Sequence, residues 1–251
     1  MSLKISREGR VLRLTLACSE KKNSLSVDLS RALVDASKEA TGAILIDSEG
    51  PVFCSGMDLS SPGQCEETRI HEKLFTMGIW SEVPIICAVQ GPALGGGLGL
   101  IANSHIAIAA QGTQFGLTEI RTGMWPFVIW NSMVSALGER RALMLALTGR
   151  LFGTAEAYQW GLIHEVVPLI ELDDRATAIA HQMAESSAVA IGLGLRNTRE
   201  SRDLPLEDAS RLALQLRAEA FQSPDFQEGL SAFHEKRKPE WPSLKSDLMQ
   251  K

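Results

Sequence analysis

The residues most able to do chemistry in this chain are two glycine-marked turns, one glutamate after a short apolar run, and a few lysines. An apolar stretch at 85–89 runs into a segment with five glycines between positions 91 and 99 (Gly91, Gly95, Gly96, Gly97 and Gly99), then into a short helix ending near Asn103. Glycine lets backbone N–H groups approach a ligand closely, and a helix start adds its positive dipole end, so the expected chemistry is the grip of an oxyanion or phosphate. The specific phosphate motifs fail: no Lys is present for a P-loop, and Leu100 stands where a dinucleotide fingerprint needs glycine. Tight packing of helix on strand is the competing, purely structural use of such a loop. The second turn runs from Phe53 to Asp58. Ser55 lacks the glycine of a hydrolase elbow two residues before it, and no histidine is tied by sequence to Cys54, so both read as turn residues or small buried side chains.

These turns need strands and helices to hold them. Leu12, Leu14 and Leu16 alternate with Arg13 and Thr15, which predicts a strand over 11–16, preceded by another at 4–7. Leu29, Ala32, Leu33, Ala36 and Ala40 recur at helical spacing, predicting a helix from Ser26 to about Gly42. Strands are expected at 43–47, 52–53, 85–89 and 105–109, a loop over 60–67, and a helix over 68–81. Beyond Glu139 the signals are nearly all helical (139–148, 155–160, 172–185, 205–221 and 224–236), with one short strand at 165–167. The expected organisation is an α/β core over 1–190 followed by a helical region over 191–251.

Composition excludes several function classes. With 25 Lys and Arg against 30 Asp and Glu, the net charge is −5, so no global basic field gathers nucleic acid and an anionic ligand must meet a local patch. Apolar residues make up 45% and charged residues 22%, as in ordinary globular chains. Cys18, Cys54, Cys65 and Cys87 show no metal-binding or disulfide spacing, so neither a metal nor a disulfide framework is expected and a reducing compartment is. Without a secretory leader in the first residues or an apolar run long enough to span a bilayer, the expectation is a cytoplasmic protein with no membrane partner.

The combination of motifs is more telling than any one of them. Val83-Pro84 and the stretch through Gln90-Gly91-Pro92 to Gly95-Gly96-Gly97 are followed by Phe115-Gly116-Leu117-Thr118-Glu119, Leu147-Thr148-Gly149, Ala155-Glu156-Ala157, Gly161-Leu162-Ile163 and Val166-Val167-Pro168. With Asn23-Ser24-Leu25 and the turn Phe53 to Asp58 upstream, and the segment from Glu228 to Lys238 at the end, the chain resembles the crotonase (enoyl-CoA hydratase/isomerase) superfamily over most of its length. The resemblance implies a fold of repeated ββα units with a C-terminal helical trimerisation region. It also implies a homotrimer or a hexamer of two trimers, and an acyl-CoA substrate whose coenzyme A is the only cofactor-like group.

By motif, the resemblance makes the amides of Met57 and Gly96 the two donors that hold a thioester oxyanion, and Glu119 the proton carrier. Gly95, Gly99, Trp125 and Phe127 would line the acyl site, while Lys22 and Lys236 would meet coenzyme A. Each lysine is by default a surface side chain, and His105, where relatives carry Asp, is by default a packed one. One departure stands out. Hydratases of the superfamily carry a second glutamate two residues after the third glycine of the loop; here that residue is Gly99. A lone Glu119 suffices to carry a proton from C2 to C4 of a 3-enoyl thioester, and the bulky segment from Gly123 to Trp130 resembles that of enoyl-CoA isomerases. Isomerisation is therefore the favoured expectation. A hydratase that recruits a carboxylate from elsewhere and a non-catalytic acyl-CoA binder are the alternatives.

Overall fold

In the computed structural model, which describes residues 2–58 and 65–246, the alternating leucines form a strand with Leu12, Leu14 and Leu16 buried and Arg13 and Thr15 half-buried on the opposite face. In chain order the elements are β1 (Leu3–Glu8), β2 (Val11–Leu16), α1 (Val27–Ser37), β3 (Ala43–Ser48), α2 (Cys65–Leu74), α3 (Met77–Trp80), β4 (Ile85–Val89), β5 (Ala93–Leu94), α4 (Gly96–Ala102) and β6 (Ile106–Ala110). They continue as β7 (Gln114–Gly116), α5 (Trp130–Leu137), α6 (Glu139–Thr148), β8 (Leu151–Gly153), α7 (Thr154–Gln159), β9 (Glu165–Val167), α8 (Leu172–Ala184), α9 (Ala188–Glu200), α10 (Leu206–Gln222), α11 (Pro224–Glu235) and α12 (Pro242–Ser246).

The main sheet has six strands in the order β1-β2-β3-β4-β6-β9, parallel throughout except for the β1–β2 hairpin. Parallel strands covered on both faces lose the need for polar alternation, which is why β3 and β4 read as near-continuous apolar runs. One face carries Ile44, Ile46, Ile85, Cys87 and Val89 into a core shared with α1 and α4. The other carries Leu45, Ile86, Ala88 and Ile108 against Leu172, Ala176, Ile179 and Ala180 of α8. A second, small sheet of β5, β7 and β8 lies beside the first, and Cys54 extends it by a bridge to Ala93. This small sheet holds the two glycine turns next to each other.

Several expectations change. Residues 52–53 are not a strand: the amides of Phe53 and Cys54 both donate to the Pro92 carbonyl, so the backbone bends into the site turn even though Phe53 is fully buried. Of the loop expected at 60–67, positions 60–64 lie outside the described residues and 65–67 begin α2. The helix expected at 68–81 breaks after Leu74 and resumes as α3, and α1 ends at Ser37, short of Gly42. Helices α5, α9 and α12 and the small-sheet strands were not expected. The division drawn at 190/191 falls in the first turn of α9.

Beyond α8 the helices bury little: among the described residues of α9 to α11, Leu216, Asp225 and Ala232 are the buried ones. Asp225 ties them together, accepting from the Ser187 hydroxyl at 2.5 Å, the Ser243 amide at 2.9 Å and the Ser243 hydroxyl at 2.6 Å. These bonds hold its carboxyl below the usual range although burial opposes them. Among the described residues no helix is long and apolar enough to cross a membrane.

Candidate active site

Asn23 organises the first wall of the site. Its backbone is left-handed (φ +52°), a conformation asparagine tolerates, and its buried amide accepts from the Cys18 N–H at 2.9 Å while donating to the carbonyls of Glu49 (2.9 Å) and Val52 (2.8 Å). The chain is thereby pinned just before the Phe53–Asp58 turn. The Ser55 amide donates to the Lys22 carbonyl at 3.0 Å, and Leu25 bonds Gly56 and Asp58. Gly56 (φ +97°) turns the backbone, and a Cβ there would lie 3.3 Å from the Gly96 nitrogen, so the two glycine turns touch. A side chain at Gly97 would press on the Cys54 carbonyl at 2.5 Å, which explains that glycine by close backbone approach.

The result is a pair of free donors. Among the described residues, no hydrogen bond is donated by the amides of Met57 or Gly96, while the amides around them are bonded: Gly95 to the Gly116 carbonyl, and Leu98 and Gly99 to the Gly95 carbonyl. Both amides open on a cavity of about 170 Å3. Its opposite wall is Glu119, the first residue of a short 3-10 turn over 119–122, whose carbonyl is held by the Thr122 hydroxyl (2.9 Å) and the Met124 amide (3.1 Å). A Cβ placed on Gly95 would be 3.0 Å from Glu119 Oε1, so the carboxylate lies directly over the loop. Glu119 Oε2 is buried with no hydrogen-bond partner. Burial raises the Glu119 pKa above the ordinary carboxyl value, and a bond from its own amide only partly offsets this. Two unpaired amides facing a buried carboxyl group can stabilise an oxyanion and move a proton at the adjacent carbon.

Trp125 and Phe127 also wall the cavity; Trp125 packs against Trp130 with ring centroids 5.2 Å apart, whereas Phe127 is 71% exposed and forms an apolar rim with Met124 and Val128. Gly99 is not on the wall. It lies behind Phe75 and Ile129: a Cβ there would come within 2.8 Å of Phe75 Cδ1 and Cε1 and closer still to Ile129 Cγ2. Lys22 is exposed at the turn that supports Ser55, and Lys236, left-handed at the C-terminus of α11, is exposed and is not a cavity residue.

Other residues settle into structural roles. His105 Nδ1 accepts from the Ile85 amide at 2.9 Å and Nε2 lies 3.1 Å from the Gly78 carbonyl; burial lowers its pKa, and the ring links the start of β4 to α3. Burial pushes the Cys54 thiol up to about 12, which removes a thiolate nucleophile. Among the described residues no group of three His, Cys, Asp or Glu side chains is placed to hold a metal ion. Reading the sequence by motif missed His71 and Phe75, both in the cavity wall. Their spacing of four on a helix was the available signal.

A sheet of this topology, two glycine turns with unbonded amides and a buried glutamate together suit oxyanion-stabilised proton transfer, and comparison with known proteins gives the family. The family model for enoyl-CoA hydratase/isomerase matches residues 6–244, and the chain belongs to that family. It is 30% identical to the mevalonyl-coenzyme A hydratase sidH of Aspergillus fumigatus, over 92% of this chain and 91% of that protein. It is also 30% identical to the enoyl-CoA hydratase EchA19 of Mycobacterium tuberculosis, over 94% of each. Among solved structures, human enoyl-CoA hydratase domain-containing protein 3 superposes with a TM-score of 0.92 at 27% identity, covering 96% of this chain and 100% of the other. The fold is thus the crotonase fold, as the motifs implied.

Proposed function

We propose that this family member is an enoyl-CoA isomerase, shifting a double bond from the 3- to the 2-position of an acyl-CoA. The amides of Met57 and Gly96 hold the thioester oxygen, Glu119 removes a proton from C2, and the resulting dienolate is protonated at C4. Gly95, Trp125 and Phe127 shape the acyl site. The supporting observation is the packing at Gly99: Phe75 and Ile129 fill the space in which a second carboxylate would stand, and among the described residues Glu119 is the acidic side chain of the cavity wall. Hydration needs a water held and deprotonated at that place, whereas a double-bond shift needs only a proton carrier and an oxyanion site. Gly99→Glu is accordingly expected to destabilise the fold, by roughly 1–3 kcal/mol of overpacking or more, without creating hydratase activity. Thermal melts with a crotonyl-CoA hydration assay check both points.

A hydratase is the second reading, favoured by the names of the relatives. Supplying 3-hexenoyl-CoA and 2-hexenoyl-CoA separately and following products by NMR separates the two. Isomerisation of the first with little water addition to the second is the expected result; rapid hydration with no isomerisation sinks the proposal, and binding without turnover of either selects a non-catalytic binder.

Lys22, beside the Met57 turn, is the proposed partner of the coenzyme A phosphates, and Lys236 the proposed contact from an adjoining subunit. A homotrimer or hexamer fits the apolar side chains that α10 and α11 leave exposed, Leu206, Leu214, Phe221, Phe226, Leu230 and Phe233. The reaction calls for no cofactor beyond the coenzyme A of the substrate. Unpaired, buried thiols at Cys54 and Cys87 suit a reducing, cytoplasm-like compartment.

A further inference from the structure

Helix α2 reaches the cavity with two rings. Phe75, the residue after its last turn, stops 3.0 Å from where a Cβ of Gly96 would be and closes the space over Gly99. His71 stands four residues earlier, hence on the same face, its ring nearly parallel to that of Phe75 (18°) with centroids 6.3 Å apart. It is 5% exposed and forms part of the cavity wall. Among the described residues, Glu119 and His71 are the carboxyl and the imidazole of that wall, and they come from different elements: the turn after β7, and α2. The element that shuts out a second carboxylate from α4 is thus the one that brings an imidazole to the acyl chamber.

We propose that His71 is the second proton carrier of the chamber, donating to C4 of the acyl chain while Glu119 takes the proton from C2. The inference rests on the isomerase reading above. The step balances as follows. The Glu119 carboxylate forms an O–H bond as the C2–H bond breaks, and its electron pair enters the dienolate, with charge on the oxygen held by Met57 and Gly96. The 3,4 double bond moves to the 2,3 position as C4 takes the proton of the His71 imidazolium, whose N–H pair stays on the ring nitrogen. Glu119 then loses its proton to solvent and the imidazole gains one from solvent, so no net proton is consumed. Imidazole suits this part because it serves as donor or acceptor near neutral pH.

Isotope labelling tests it. If one carboxyl shuttles the proton, part of the protium taken from C2 reappears at C4; if two groups act, C4 receives solvent hydrogen. Wild-type enzyme turning over 3-hexenoyl-CoA in deuterated water is expected to place about one deuterium at C4 from the first turnovers. His71→Gln is expected to lose most of that C4 label and to lower kcat about 10²-fold, within the usual range for a proton-transfer group. His71→Phe preserves a ring against Phe75 without a proton and is expected to share the defect. Wild-type labelling and kcat in His71→Gln, or recovery of wild-type kcat in His71→Phe, overturns the assignment to His71 and leaves the isomerase reading intact. A wild-type protein that leaves 3-hexenoyl-CoA unchanged overturns both.

Discussion

Replacing Glu119 by Gln is expected to lower kcat for double-bond migration by about 10²–10⁴-fold while raising the thermal midpoint at neutral pH. The loss follows from removing the group that takes the C2 proton, an effect of that general size for positioned acids and bases. The gain in stability follows from the direction of the Glu119 pKa. Burial raises it, so between the unfolded and folded values the folded chain binds the proton more tightly than the unfolded chain does. The stability this group contributes is full below the unfolded carboxyl value, about 4.3, and is lost as pH rises through the folded value. At neutral pH the ionised carboxylate, with Oε2 buried and unbonded, is therefore a net cost that a neutral amide of the same shape removes. Melting curves should show the variant above the wild type at pH 7 and the gap closing toward pH 4. The acid limb of wild-type kcat/KM should likewise lie above the ordinary glutamate range. A variant with undiminished kcat, or a midpoint that falls at pH 7, contradicts the role and the burial argument respectively.

Gly95→Ala is the second large effect. Gly95 has φ +50° and ψ −116°, which side-chain-bearing residues do not adopt comfortably, and its added methyl would meet Glu119 Oε1 at 3.0 Å. Both the following amide, that of Gly96, and the carboxylate would be displaced at once. Losing one preorganised oxyanion donor costs about 10²–10³-fold in kcat, and backbone strain of this kind costs about 1–3 kcal/mol of stability. The expected outcome is a folded but less stable enzyme in which kcat falls more than KM rises. Steady-state kinetics beside thermal melts test it; unchanged kcat would mean that the Gly96 amide does not meet the reacting oxygen.

Those two positions were legible in the sequence because each carries its reason locally. Gly95 and Gly96 sit in a glycine-dense link between a strand and a helix, and Glu119 follows a recognisable run ending in Thr118. Strands β2 and β4 and helix α1 were legible for the same kind of reason: Leu12, Leu14 and Leu16 alternate, and Leu29 and Leu33 recur on one helix face capped by Ser26, whose hydroxyl accepts from the Leu29 amide at 3.2 Å. Helix α9 was not legible, since it contains Gly192 and Gly194 and buries no residue, leaving no apolar stripe to read. Val52 and Phe53 looked like a strand because apolar type reports burial, and Phe53 is buried, but the Pro92 carbonyl diverts its backbone. What occupies the place of a second carboxylate is a tertiary fact: Gly99 shows only that a side chain is missing there, and Phe75 and Ile129, from elements distant in sequence, fill it.

The central claim is that two main-chain amides grip a thioester oxygen opposite one buried glutamate. A crystal structure with a bound 2-enoyl-CoA measures this directly. The expected result is a thioester oxygen about 2.7–3.1 Å from the nitrogens of both Met57 and Gly96, with the Glu119 carboxyl over C2. An oxygen bonded to neither amide, or a Glu119 side chain turned away from the acyl chain, would contradict it.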